Sequence, residues 1–408
     1  MSQTTAAEEA LDPAGPPVLT RGKKILFSFV LLLLLFIVAE VASNVYLRVA
    51  RGYAGGEFLQ YEFDAYRNIG LQRNWVDTRG VRHNSQGFRR DGDVARKKPT
   101  DTYRVFLMGA STAYGLGGLW PHLQREYEVL DNSETIDAYL EPMLREGLGL
   151  AKVEVINAAV PSIWTHHHLI NLNQTVLGYE PDLILFLDGW NDHFFYEPWH
   201  DQFASYAHGE QAGAIMGPPT TASLLRMNGW WLFRKSAFIH VLARLGRDLK
   251  PLLGGGGPPT PIDVPAAIAG QREVFERSAL KMIERNALIL RQESIPAIFM
   301  LQPILALERE RTARMPAIEK QLFDFNIAAW RPGYEEYMRA AAPHVAKRIE
   351  EVVTPLGGRF LDLTTLFPTS EGQIFTDYAH LTPEGNRIVA RRIADEIIRM
   401  RTQPTTKR

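Results

Sequence analysis

Arg104-Val105-Phe106-Leu107-Met108, followed at once by Gly109-Ala110-Ser111-Thr112-Ala113-Tyr114-Gly115, decides how the rest of the chain is read. The first five residues, four of them apolar, have the character of a strand covered on both faces, and the small residues after them turn the chain sharply. Residues 153–157, 183–187, 297–301 and 359–363 repeat that character. Between the strands lie helical spacings, for example Phe275, Ala279, Met282, Ile283, Ala287 and Leu290. At the end Val389, Ile393 and Ile397 follow Thr382 as N-cap and Pro383 as first helical residue. Strand and helix in alternation predict a three-layer α/β/α sandwich around a mainly parallel five-stranded sheet.

Composition narrows the chemistry. The chain has 408 residues, 46% hydrophobic and 22% charged, enough for one large core with additions. Its 45 Lys+Arg and 46 Asp+Glu leave a net charge of −1, which offers nothing to hold a nucleic acid. The sequence has no cysteine, so disulfides, thiolate nucleophiles and cysteine-based metal centres are excluded, and any covalent catalysis must use oxygen or nitrogen.

Residues 25–39 are apolar except for Ser28, and the apolar character resumes after Glu40 as far as Leu47. About 20 residues rising 1.5 Å each cross a ~30 Å hydrocarbon layer, so residues 25–47 are expected to be a transmembrane anchor. Arg21, Lys23 and Lys24 before it, against Arg48 and Arg51 after it, favour slightly a cytoplasmic N-terminus and an extracytoplasmic body. A leader cleaved near Val41-Ala42-Ser43 and a buried core helix are the competing readings. Residues 1–24, with Pro13, Pro16 and Pro17, are expected to be a disordered cytoplasmic stub.

Two further pieces stand outside the alternation. Residues 52–100 are rich in Arg, Gly, Asn and aromatics and are expected to be an extended leader with a β-hairpin. Residues 193–263 form an insertion within a unit expected over 101–402, ending in Gly254 to Gly257 and Pro258-Pro259, a flexible joint. Inside the insertion Phe238, Val241, Leu242, Leu245 and Leu249 recur at helical spacing amid Arg226, Arg234, Lys235, Arg244, Arg247 and Lys250. Such a basic amphipathic helix either lies on an anionic membrane or packs on the core.

In an open α/β sheet ligands bind at the carboxyl ends of the strands. Ser111 follows the first strand in that position, in a pattern that is neither a dinucleotide fingerprint, a phosphate loop nor a G-x-S-x-G elbow. After the third strand Gly189-Trp190-Asn191-Asp192 brings a side-chain amide to the same edge. Before the last helix Asp377-Tyr378-Ala379-His380 spaces a carboxylate three residues from an imidazole, so that one ring nitrogen can be fixed while the other faces a serine.

With these residues together, the chain over about residues 100 to 400 resembles the SGNH/GDSL hydrolase superfamily in its membrane-anchored bacterial form. The resemblance implies Ser111 as nucleophile, His380 as base and Asp377 as its orienting partner. It further implies an oxyanion hole of the Asn191 amide with the backbone N–H groups of Ser111 and Ser162. Asn84-Ser85-Gln86-Gly87-Phe88-Arg89 is similar to a leader found ahead of the core in such members. Two departures from the family pattern stand out: Ala110 where an Asp is usual, and Ser162 where the second oxyanion residue is usually Gly.

Other candidates read more plainly. His166-His167-His168 looks like a metal tract, but adjacent helical residues point about 100° apart and no carboxylate flanks them, so no metal and no cofactor is expected. Asp188 with Asp192 surrounds one strand end rather than facing across a crevice as a glycosidase pair must. His193 could touch substrate or be merely solvated. Gly189, Trp190 and Trp164 are candidate substrate contacts, and Trp164, Trp190 and Trp199 could stack on a sugar or simply pack. The expected activity is extracytoplasmic hydrolysis of a small acyl ester, of acetyl type, on an envelope glycan or another ester-bearing molecule. An O-acyltransferase with the same acyl-enzyme and a non-catalytic envelope scaffold are the alternatives, each with polysaccharide-modifying partners in the envelope.

Overall fold

The computed structural model describes residues 19–51, 61–64, 68–77, 80–118, 130–191, 193–194, 236–249, 261–308, 315–329, 332–367 and 370–402. The expected joint at 254–259, Trp199, Asp192 and the stub before residue 19 lie outside the described residues.

Five strands make the central sheet: β3 (Thr102–Gly109), β4 (Lys152–Asn157), β5 (Leu183–Asp188), β6 (Ala297–Leu301) and β7 (Arg359–Asp362). Every pairing is parallel and the order is β4-β3-β5-β6-β7, the flavodoxin-like doubly wound order 2-1-3-4-5. The five apolar runs of the sequence are these strands, to within two residues at any end. Alternation along β3 sorts the two helical layers. Val105 and Leu107 face a core shared with α3 (Ile136–Leu148) and the C-terminal helix α10 (Pro383–Thr402). Phe106 and Met108 face α4 (Thr165–Gln174), α6 (Val264–Arg277), α7 (Ala279–Gln292) and α9 (Tyr334–Val353). Helix α8 (Ala317–Ala329) is a further described helix of this unit.

Thr382 caps α10 as its sequence predicts: its Oγ1 accepts from Gly385 N–H at 3.2 Å, and Pro383 occupies the first turn, where a missing N–H costs nothing. One helical reading is corrected. The spacing from Phe275 to Leu290 spans two helices, because Ser278 leaves the helical region at φ −116°, ψ −86° and ends α6. Both pieces keep their apolar faces on the same core, so the periodicity survives the break.

The leader contains a hairpin, β1 (Tyr61–Asp64) against β2 (Asn68–Leu71), and then isolated antiparallel bridges Val76 to Arg82 and His83 to Arg89. Arg89 pairs in turn with Asn157 of β4, its N–H donating to the Asn157 carbonyl at 3.1 Å, so the leader lies along the outer strand of the sheet at its carboxyl end.

Helix α1 (Arg21–Arg51) is the one described helix long and apolar enough to cross a membrane. All side chains from residue 25 to residue 38 are exposed, which removes the buried-core-helix reading of this segment.

Candidate active site

All the sequence-predicted site residues lie at the carboxyl edge of the sheet or in the loops leaving it. Ser111 opens α2 (Ser111–Tyr114), a single turn after β3, closed by Gly115 at φ +82°. That turn depends on Gly109, where a Cβ would sit 2.4 Å from the Leu187 carbonyl oxygen of β5 and 2.5 Å from Ala113 Cβ. Only a residue without a side chain lets the chain leave β3 this close to its neighbour. Ser111 itself is half-buried.

Asp377 and His380 sit in a buried loop between β7 and α10. Nδ1 of His380 lies 2.9 Å and 2.7 Å from the two Asp377 carboxylate oxygens, and Oδ1 also accepts from the N–H groups of Ala379 and His380, both at 2.9 Å. A carboxylate only accepts, so Nδ1 carries the proton and Nε2 is left with its lone pair. Nε2 is buried and finds no hydrogen-bond partner among the described residues. Burial alone pushes the Asp377 carboxyl up, but the charge and hydrogen bond of His380 and the two amides outweigh it and hold it below the usual range. Asp377 therefore stays ionised at neutral pH.

Contacts distant in sequence tie this loop to the serine. Thr112 Oγ1, next to Ser111, donates to the Ala379 carbonyl at 3.1 Å, next to His380. Gln302, buried just beyond β6, donates through Nε2 to the same Thr112 oxygen at 3.0 Å, while its Oε1 faces Trp190 N–H at 3.5 Å. One glutamine thus spans the serine turn and the Asn191 loop, and Thr112 carries the connection on to the histidine loop. If His380 acts as the base that the family resemblance implies, Thr112→Val, which keeps the shape and deletes the hydroxyl, should lower kcat by roughly tenfold or more with little change in KM, because a misplaced base costs rate rather than binding. Thr112→Ser should restore it. Equal kcat in Thr112→Val and wild type would show that the strut does not set the geometry.

Asn191 donates through Nδ2 to the Ile163 carbonyl at 2.7 Å, joining its loop to the loop after β4 that carries Ser162. Ser162 is exposed and sits at φ +65°, in the left-handed region. That is the conformation that favours glycine, and serine accepts it at a cost of about 1–2 kcal/mol. The departure at 162 is thus a change of side chain on a backbone of glycine type.

Of the candidate substrate contacts, Gly189 is buried and its carbonyl accepts from His193 N–H at 3.2 Å. The Trp190 ring lies 4.2 Å from Tyr378 and 6.0 Å from Tyr334, so much of it is engaged in packing beside the His380 loop. Trp164 is half-buried near His166, ring centroids 6.4 Å apart. The three histidines do not converge on one point: the His166 and His167 rings lie 3.9 Å apart, His167 Nδ1 accepts from Trp164 N–H at 3.1 Å, and His168 Nε2 bonds Asp188 at 2.9 Å, His168 and Asp188 both buried. His193 is buried against Phe275, its carbonyl accepting from Gln271 at 2.7 Å, so it faces the core and not the crevice.

Two leader residues brace the serine turn from behind, and sequence reading gave them no role. Arg89, buried, donates to the carbonyls of Tyr114 and Gly115 at 2.8 and 2.9 Å and lies 4.4 Å above the Tyr114 ring. His83 places Nδ1 3.0 Å from the Gln72 carbonyl and Nε2 2.8 Å from the Tyr114 hydroxyl, so Nδ1 holds the proton and the phenol donates. Burial, helped by nearby Arg89 and opposed by the Gln72 carbonyl, pushes His83 down from 6.5 to about 3. The unfolded chain then binds the proton first, so the contribution of neutral His83 is complete above about 6.5 and is lost as pH falls toward about 3. In that window each pH unit should cost up to about 1.4 kcal/mol. Urea unfolding at pH 7 and pH 5 should show a smaller loss in His83→Gln than in wild type; equal losses would mean that His83 does not take up a proton on unfolding.

Arg89 lies in the Gly87-Phe88-Arg89 stretch that the family resemblance marked, so a signal for it existed. Gln302 and Thr112 left none, since their partners lie 190 and 267 residues away in the chain.

No family model matches the sequence, and no curated protein matches it. Among solved structures, an acetylxylan esterase from Geobacillus stearothermophilus is similar at 12% identity, over 72% of this chain and 94% of that one, with a TM-score of 0.38. A lipase/acylhydrolase from Enterococcus faecalis is similar at 16% identity, over 75% and 100%, with a TM-score of 0.37. An alpha/beta hydrolase enzyme from the metagenome of Lake Arreo, Spain, is similar at 13% identity, over 74% and 97%, with a TM-score of 0.35.

Proposed function

We propose that the chain is a serine ester hydrolase of SGNH/GDSL type that removes a small acyl group, of acetyl class, from an ester-bearing envelope molecule such as a glycan. The observation that carries this reading is His380: one ring nitrogen is held by a buried carboxylate, the other is buried with no hydrogen-bond partner among the described residues, and the neighbouring Ala379 carbonyl accepts from Thr112, next to Ser111.

In this mechanism Ser111 Oγ attacks the acyl carbonyl while Nε2 of His380 takes its proton, and Asp377 stabilises the imidazolium that forms without itself being protonated. The tetrahedral oxyanion is held by the N–H groups of Ser111 and Ser162 and by the Asn191 amide, whose second hydrogen remains available after the bond to Ile163. Collapse breaks the ester bond, and His380 returns its proton to the departing alkoxide. Water, deprotonated by the same nitrogen, then releases the acid and restores Ser111. The chemistry asks for no cofactor.

Helix α1 serves as an uncleaved anchor in this reading, with the catalytic unit outside the cytoplasm. Support comes from its length and the exposure of its apolar side chains. Purified protein should hydrolyse p-nitrophenyl acetate, and Ser111→Ala prepared in parallel should not. Activity that survives in Ser111→Ala would remove the assignment.

A further inference from the structure

The carboxylate of Glu40 lies within the apolar span of α1, about 10 Å before its apolar end at Leu47 when counted at 1.5 Å per residue. A charge at that depth needs a partner. Its partner is the start of α5 (Ala237–Leu249), the helix of the insertion. Oε1 accepts from Ala237 N–H at 2.7 Å and from Asn44 Nδ2 at 3.1 Å, and Oε2 accepts from Ser236 Oγ at 2.6 Å and from Phe238 N–H at 3.0 Å. Ile239 N–H donates to Ser236 Oγ at 3.2 Å, and His240 N–H to the Ser236 carbonyl at 3.1 Å.

Three of the four N–H groups that a helix leaves open at its start, those of Ala237, Phe238 and Ile239, are therefore satisfied by the Glu40 and Ser236 side chains. In water such groups can turn to solvent, whereas in a bilayer each one left open is costly, so capping by side chains within the protein matters most there. The negative carboxylate also complements the positive end of the helix dipole. Apolar contacts extend the joint: the Phe36 and Phe238 rings meet edge to face at 6.0 Å, and Leu47 and Ala237, both fully buried, pack with Val241. Leu242 and Leu245, on the helix that α1 holds, remain 48% and 50% exposed, and the apolar side chains of α1 from residue 25 to residue 38 are exposed too.

We propose that α5 is a second membrane-contacting element, seated beside the C-terminal half of the α1 span with Leu242 and Leu245 in lipid and Glu40 as its pin. The occupant of the exposed leucine face is the acyl-chain region of the bilayer. The inference rests on α1 crossing the membrane. Two attachments, through α1 and through the insertion, fix the tilt of the catalytic unit where a single helix would leave it free to swivel.

The absence of natural cysteine allows nitroxide labels at Leu33→Cys, Leu242→Cys, Leu245→Cys and Glu371→Cys, each the sole cysteine of the full chain in phosphatidylcholine–phosphatidylglycerol vesicles. Labels at 33, 242 and 245 should be broadened by oxygen and shielded from a water-soluble nickel complex, and the label at 371 the reverse. Adding Glu40→Ala should return the label at 242 to the aqueous pattern. A lipid pattern at 33 with an aqueous pattern at 242 and 245 would overturn the inference while leaving the anchor intact. An aqueous pattern at 33 would overturn the anchor itself, and a label at 242 unmoved by Glu40→Ala would overturn the pin.

Discussion

Ser111→Ala and His380→Ala are each expected to lose nearly all ester hydrolysis, by about 10⁶ in kcat when nucleophile and base act as one unit, with Asp377→Ala costing less, about 10⁴. The asymmetry follows from the geometry. Removing Ser111 or Nε2 deletes an atom that makes or breaks a bond, whereas removing Asp377 leaves the ring with its proton placement unfixed but still able to accept. The double variant Ser111→Ala/His380→Ala should be scarcely worse than either single one. Losses that multiply would show that the two residues do not act on the same step. Asp377→Asn sharpens the test, since its amide can donate to Nδ1 and so favours the wrong tautomer; it should be as damaging as Asp377→Ala although it nearly matches the native side chain in size.

The second large effect is expected at Asn191. Its side-chain amide is a donor that alanine removes, and the loss of one such donor costs ~10²–10³ in kcat, about 2.7–4 kcal/mol. Ser162 is expected to act through its backbone N–H, which alanine and glycine both retain. Ser162→Ala should therefore stay within about tenfold of wild type, far from the loss that removal of an oxyanion donor brings. Ser162→Gly should hold activity and gain about 1 kcal/mol of stability by relieving a left-handed backbone. Ser162→Pro deletes the donor, but φ is +65° here and proline requires about −65°, so its expected collapse of activity reports the loop as much as the donor. Alanine and glycine are the cleaner pair: a Ser162→Ala loss as deep as that of Asn191→Ala would put the hydroxyl itself into the chemistry.

The sheet was legible in the sequence because strands covered on both faces must be short apolar runs, and helices facing one side must repeat near 3.6 residues. Residues 104–108 and 183–187 could hardly pack otherwise. The Asp377–His380 bond was legible for a different reason, since partners three residues apart in one loop are local. The strut from Gln302 through Thr112 to Ala379 was not, because it depends on how β3, β6 and the last loop converge, and no spacing records that. The break at Ser278 was hidden because both helices keep one apolar face. Leader residues His83 and Arg89 had no partner assigned to them until the fold placed Tyr114 between them. For the amphipathic insertion, membrane surface and hydrolase core were the expected alternatives, yet its described partner is the apolar helix α1, reached through a glutamate that sequence alone reads as an interruption.

The most direct test of the account is to ask which atom becomes covalently acylated. A fluorophosphonate ester reacts with a serine oxygen made nucleophilic by an adjacent base and leaves an adduct that persists through digestion. Intact-mass measurement of the labelled full chain should show one adduct, mapped by peptide sequencing to Ser111 and absent from Ser111→Ala and His380→Ala. A wild-type chain that stays unlabelled, or an adduct on any other serine, would contradict the assignment of Ser111 as the activated nucleophile.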